Sequence, residues 1–127
     1  MSASDYKDFS DFLTKKRKDK KISLRQLSRY LKVSATYLSE VENNKSAPLT
    51  YERLQKVATF LNLSDEEQSE MYDLAGNQRG TVAPDLLEYI KKRDYVNLAI
   101  RTARDMGASE DDWLNFIEEL KRKVDIK

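Results

Sequence analysis

The sequence predicts an all-α fold, with five helices followed by a small three-helix C-terminal region. Three observations carry that prediction. Only three Gly and two Pro occur in 127 residues, so long stretches contain no helix breaker. Apolar residues recur three and four positions apart, the spacing that returns to one side of a helix. Ser, Thr or Asp stands just ahead of most of these runs, where a side-chain oxygen can accept from a free backbone N–H.

The elements follow in order. Tyr6, Phe9, Phe12 and Leu13 make the stripe of a first helix from about residue 5 to 18, which runs into the basic stretch Lys15–Lys21. Leu24, Leu27 and Leu31 share one face of a second helix over 23–31, opened by Ser23. Val33 plugs a short turn, and Leu38 and Val41 restart the pattern on a third helix over 34–43, opened by Ser34. Asn43 to Pro48 is a loop, because Asn and Pro favour non-helical backbone here. Thr50 caps a fourth helix with Leu54, Val57, Ala58 and Leu61 inward. Ser64-Asp65-Glu66-Glu67 is a capping box opening a fifth, closed by Gly76. Polar residues 77–83 read as a linker, dividing the chain into 1–76 and 84–127. Pro84 starts a sixth helix bearing Leu86, Leu87 and Ile90; Asp94 caps a seventh with Val96, Ala99, Ile100 and Ala103, ended by Gly107. Ser109-Glu110-Asp111-Asp112 caps an eighth, with Trp113, Phe116, Ile117, Leu120 and Val124 in one stripe.

Two short helices hinged by a three- or four-residue turn over 23–45 leave little room for any arrangement but a helix-turn-helix. From Phe9 to Leu63 the chain resembles the lambda-repressor/Cro-like helix-turn-helix proteins, the XRE family. The resemblance lies in Ile22 to Ser28, Val33-Ser34, Tyr37-Leu38-Ser39, Val41 to Lys45, Pro48 and Leu54 to Ala58. Lys32 departs from the family's usual Gly in the turn, and Asn44 from the Gly that often follows the third helix. Asn tolerates left-handed backbone, whereas Lys does so at about 1 kcal/mol. Residues 84–127 resemble the tails of XRE-type regulators more loosely.

The resemblance implies a lambda-repressor-like domain in which 34–43 is the recognition helix. Base contacts are then expected from Ala35, Thr36, Tyr37, Ser39 and Glu40: Ala35 against a thymine methyl, Thr36 through hydroxyl or methyl, Glu40 accepting from cytosine N4. Phosphate contacts are expected from Arg25, Arg29, Ser34, Asn43, Lys45 and Ser46, at helix starts or in the loop beyond. Leu24 stands where the family often has a polar phosphate-gripping residue. Arg17 and Glu42 match a family ion pair tying the first helix to the third. The competing reading of the third helix is a solvated face on a structural element. For the basic stretch 15–21, a solvated helix end, a phosphate-binding strip and a nuclear-targeting signal all stand.

Net charge is only +1, but it is split: residues 1–63 carry 13 Lys/Arg against 7 Asp/Glu, and residues 64–127 carry 10 against 15. A basic half suits phosphates and an acidic half avoids them. With no Cys and no His, disulfides, thiolate chemistry, histidine metal sites and histidine-based catalysis are excluded. Asp111-Asp112 and Glu118-Glu119 are adjacent on a helix and diverge, so they form no catalytic dyad. No enzyme, cofactor or metal is expected. The polar N-terminus and the lack of a long apolar run predict a soluble intracellular protein, and the resemblance implies a cytoplasmic, nucleoid-associated one of bacterial origin.

The expected partners are double-stranded DNA and a second copy of the chain. Trp113, Phe116, Ile117 and Leu120 are the dimerisation candidates, since some 44 residues make a thin independent core. Two alternatives remain: three short helices satisfying one another internally, or an aromatic ligand cage of Tyr89, Trp113 and Phe116. The predicted function is a sequence-specific transcriptional regulator, a repressor acting as a dimer. The rival is an antitoxin-like interaction module that sequesters a protein through its acidic half.

Overall fold

The computed structural model describes residues 5–125, with side chains through Lys123, so the Val124 side chain lies outside the described residues. Among them the chain is entirely helical, and no strand occurs. Two compact units appear, one ending at Glu88 and one starting at Tyr89.

The first unit holds α1 (Phe9–Asp19), α2 (Leu24–Leu31), α3 (Ala35–Glu42), α4 (Tyr51–Phe60) and α5 (Asp65–Arg79), with the start of α6 (Pro84–Ile90). α2 packs on α3 and α4, and α1 on α3 and α5. The predicted stripes meet in one core: Phe12, Leu13, Leu27, Leu38, Val41, Leu54 and Val57 are fully buried. At roughly 1.5–3 kcal/mol for each large side chain removed from water, this burial is the main force closing the unit. Ser23, Ser34, Thr50 and Ser64 cap α2 to α5 as expected; Ser23–Gln26 and Ser64–Glu67 are reciprocal capping boxes.

Two element limits of this unit differ from expectation. α1 begins at Phe9 rather than near residue 5, because Asp8 takes the cap: it is extended and accepts from the Asp11 amide at 2.8 Å. α5 does not end at Gly76 but runs on to Arg79, so residues 77–79 are helical. Gly76 serves close packing instead, since a Cβ there would lie 2.8 Å from the Ala83 Cα. The helix stops at Gly80, in the left-handed conformation at φ 75°.

The second unit contains α7 (Asp94–Met106) and α8 (Glu110–Asp125). Asp94 does not cap α7; it is the first helical residue, and Arg93 holds the cap position without a side-chain bond. Arg93 is engaged elsewhere, its guanidinium 4.1 Å from the Tyr89 ring centroid. Ser109 caps α8, accepting from the Asp112 amide at 3.2 Å. No residue of α7 is buried, and the α8 stripe stands open: Trp113 is 42%, Phe116 50%, Ile117 43% and Leu120 46% exposed.

Candidate nucleic-acid interface

The turn between α2 and α3 sets the angle of the third helix. Lys32 closes α2 in the left-handed conformation at φ 59°, the departure from Gly noted in the sequence. Val33 is half-buried against the core, and its amide donates to the Ser28 carbonyl at 3.0 Å. Ser34 then accepts from the Tyr37 amide at 3.0 Å and starts α3. Leu38 and Val41 anchor α3 with no exposure at all. The register of a helix puts the intervening residues outward.

Ala35, Thr36, Ser39, Glu40, Asn43 and Lys45 line one shallow surface hollow of about 350 Å³ along that outward face. Thr36, Glu40, Asn43 and Lys45 are exposed, while Ala35 and Ser39 are half-exposed. Four of the five expected base-contact residues are thus brought together. Tyr37 is not among them: it leans on the core, with the Arg53 guanidinium 5.7 Å from its ring centroid.

The far end of α3 is held by polar contacts. The Asn43 side chain folds back to donate to the Ser39 carbonyl at 2.8 Å, and Ser46 Oγ donates to Glu40 Oε2 at 3.2 Å. Asn44 turns the chain in the left-handed conformation at φ 60°. Its side-chain oxygen accepts from Gln78 Nε2 at 2.9 Å, and Gln78 Oε1 accepts from the Phe9 amide at 3.1 Å. Arg79 also donates to the Pro48 carbonyl. The last turn of α5 therefore braces the loop after α3.

A helix-turn-helix family model matches residues 13–68. Over that segment, a little under half of the chain, the sequence is similar to helix-turn-helix proteins. A solved structure of a SinR protein/SinI protein complex aligns with this chain at 20% identity and a TM-score of 0.45, over 92% of this chain and 98% of that one. No curated protein matches the sequence.

Within the helix-turn-helix, Arg17 and Glu42 form a two-pronged ion pair, Nε to Oε2 at 2.7 Å and Nη2 to Oε1 at 2.9 Å. Arg17 also donates to the Ile22 carbonyl at 2.9 Å, so one guanidinium joins α1, the loop before α2 and α3. Both side chains are about nine-tenths covered, at 11% and 8% exposure. The basic stretch divides accordingly. Lys15 pairs with Asp11 at 3.1 Å, Lys16 with Glu67, and Arg17 with Glu42, leaving Lys18, Lys20 and Lys21 exposed. The bond from Lys16 holds the Glu67 carboxyl at about 2, helped by the Ser64 amide. Arg25 and Arg29 on α2 and Lys45 beyond α3 are exposed, and none pairs with a carboxylate among the described residues.

Sequence reasoning missed Ser10, Gln78 and Arg53. Ser10 is buried and donates to the Val41 carbonyl at 2.7 Å, and no apolar pattern marks it. Gln78 was hidden because Gly76 reads as a helix end. Arg53 gave a signal, an Arg in the first turn of α4, but its partner Tyr37 is distant in sequence.

Proposed function

We propose that the chain is a sequence-specific regulator of transcription, a repressor that inserts α3 into the major groove of double-stranded DNA. One observation carries this: Ala35, Thr36, Ser39, Glu40, Asn43 and Lys45 share one open face of α3 and its following loop. Ala35, Thr36, Ser39 and Glu40 would meet base edges, and Tyr37 would brace the helix under Arg53. Arg25, Arg29, Lys45, Ser34, Asn43 and Ser46 would meet phosphates; only the first three offer side chains free of an internal bond. A cytoplasmic, nucleoid-associated site of action goes with this reading.

A single helix-turn-helix covers too few base pairs to find one genomic site, so we assign residues 84–127 to homodimerisation, with Trp113, Phe116, Ile117 and Leu120 between copies. The open α8 stripe supports that assignment, and equally supports a protein partner of another kind, as an antitoxin-like module requires. Sedimentation of the purified chain separates them: a self-associating species favours the dimer, whereas a 14.8 kDa monomer that binds a copurifying protein favours the rival.

Selection from a random-sequence duplex pool tests the DNA reading. A defined motif should emerge, and a dimer touching about six phosphates should lose on the order of 10³-fold in affinity between 50 and 200 mM salt. Thr36→Ala and Glu40→Gln should change which motif is selected, while Lys45→Ala should weaken every site alike. A pool that returns no motif and no salt-dependent binding overturns the proposal.

A further inference from the structure

A second concavity lies in the first unit, away from the α3 face. It is a cleft of about 550 Å³ between α4, α5 and the start of α6, lined by Tyr51, Thr59, Gln68, Tyr72 and Asp85 among others. Its size suits a small organic molecule. Its charge is one-sided, since Asp85 is the one charged residue in the lining. Gln68 Nε2 is committed to the Leu63 carbonyl at 3.0 Å, and Thr59 Oγ1 donates to the Gln55 carbonyl at 3.1 Å. Thr59 keeps its oxygen lone pairs, Gln68 keeps its oxygen and one N–H, and the amides of Gln55 and Asn62 complete the polar lining.

Asp85 adds a carboxylate, and its Oδ1 is shielded from solvent with no hydrogen-bond partner among the described residues. Leaving a buried acceptor unpaired is unfavourable, and more so when it is charged. No lysine or arginine lines the cleft to offset it. The uncompensated charge is felt nearby: the Tyr72 hydroxyl is pushed up to about 12, by burial first and then by Tyr51 and Asp85. The Asp73 carboxyl is raised by burial and then by Asp85. Tyr51 and Tyr72 set two aromatic rings at the same place, centroids 5.6 Å apart and tilted by 40°. Ring faces beside a carboxylate attract organic cations. A metal ion is a poorer fit, because hard cations need several oxygen ligands and no group of three metal-binding side chains occurs among the described residues.

We propose that this cleft binds a small organic cation of the alkylammonium or guanidinium class, with Asp85 as counter-charge and Tyr51 and Tyr72 as the aromatic wall. The proposal is independent of the DNA reading. Titration calorimetry of the full chain with agmatine and with spermidine tests it, sodium chloride and succinate at matched ionic strength serving as controls. One saturable site per chain is expected for the amines and none for the controls, and the melting temperature should rise with amine concentration. Asp85→Asn, which removes charge and leaves packing intact, should weaken binding at least about tenfold. Tyr51→Leu should weaken it less and provides a second variant should the first not fold. Glu66→Gln, which removes an exposed carboxylate outside the cleft, should bind like the parent. Absence of saturable heat, unchanged affinity in Asp85→Asn, or an equal loss in Glu66→Gln would overturn the proposal.

Discussion

The two units of this chain use similar helices to opposite ends. In the first, apolar stripes of five helices face one another, and residues such as Phe12, Leu38 and Val57 lose all contact with solvent. In the second, α7 and α8 carry stripes of comparable strength, yet no residue of α7 is buried and Phe116 keeps half its surface exposed. Amphipathic patterning alone therefore does not make a core. It makes a face, and whether that face is closed within one chain depends on how many neighbours the chain supplies.

The comparison is broken most directly by one phenylalanine in each unit. Phe12→Ala should lower the unfolding free energy of the first unit by about 3–5 kcal/mol, the transfer and cavity cost of a sealed site. Phe116→Ala should leave that transition in place and instead reduce the sedimenting mass. Trp113 is the only tryptophan, so its fluorescence follows the second unit while far-ultraviolet circular dichroism follows both. Equal destabilisation of the first unit by both substitutions would show that the units are not separable in this way.

Ion pairs sharpen the same contrast. Arg17 and Glu42 are nearly covered, whereas Arg104–Asp105 in the second unit, also about 3 Å apart, leaves both side chains mostly in water. Arg17→Met strands the Glu42 carboxylate and should cost about 3 kcal/mol in urea unfolding; adding Glu42→Leu should recover most of it. Asp105→Asn should change nothing measurable, because exposed pairs gain little in high dielectric. A double variant no more stable than Arg17→Met would mean that Arg17 acts mainly through the Ile22 carbonyl.

Much of the first unit was legible because its signals are local. Leu27, Leu31, Leu38 and Val41 keep helical spacing, and Ser23, Ser34, Thr50 and Ser64 each cap the helix that follows. The outward face of α3 follows from the same register, since placing Leu38 and Val41 inside puts Thr36 and Glu40 outside. Two left-handed residues were legible too: Lys32 and Asn44 both have positive φ, whereas Lys21 and Asn62, also left-handed, carry no such mark in the sequence. What could not be read depends on distant contacts. Gly76 has the local marks of a helix end, but its missing Cβ answers to Ala83 packed against it. Asp94 has the marks of a cap, but Arg93 takes that position. Tyr37 belongs with the outward residues of α3 by spacing, yet the core and Arg53 draw its ring aside.

The smallest effect separates the units by pH. Lys16 ties α1 to Glu67 at the start of α5, and that bond lowers the Glu67 carboxyl from 4.5 to about 2. A depressed carboxyl stabilises the fold where it is ionised in both states. The contribution is therefore complete above pH 4.5 and disappears as pH falls from there toward 2. The pair is partly open to solvent, with side-chain exposures of 15% and 27%, so it should amount to about 1 kcal/mol rather than the full value of the shift. At the other limit Lys16 is raised above 10.5, so its share persists through neutral pH and fades only in strong alkali. Glu67→Gln should accordingly destabilise the first unit at pH 7 and flatten its loss of stability between pH 4.5 and 2. The Trp113 signal of the second unit should not respond, because Glu67 belongs to the first unit alone. Urea melts of parent and variant at pH 7, 4 and 3 measure both parts. Parallel pH profiles for parent and variant would show that the acid sensitivity of the first unit arises from other carboxylates.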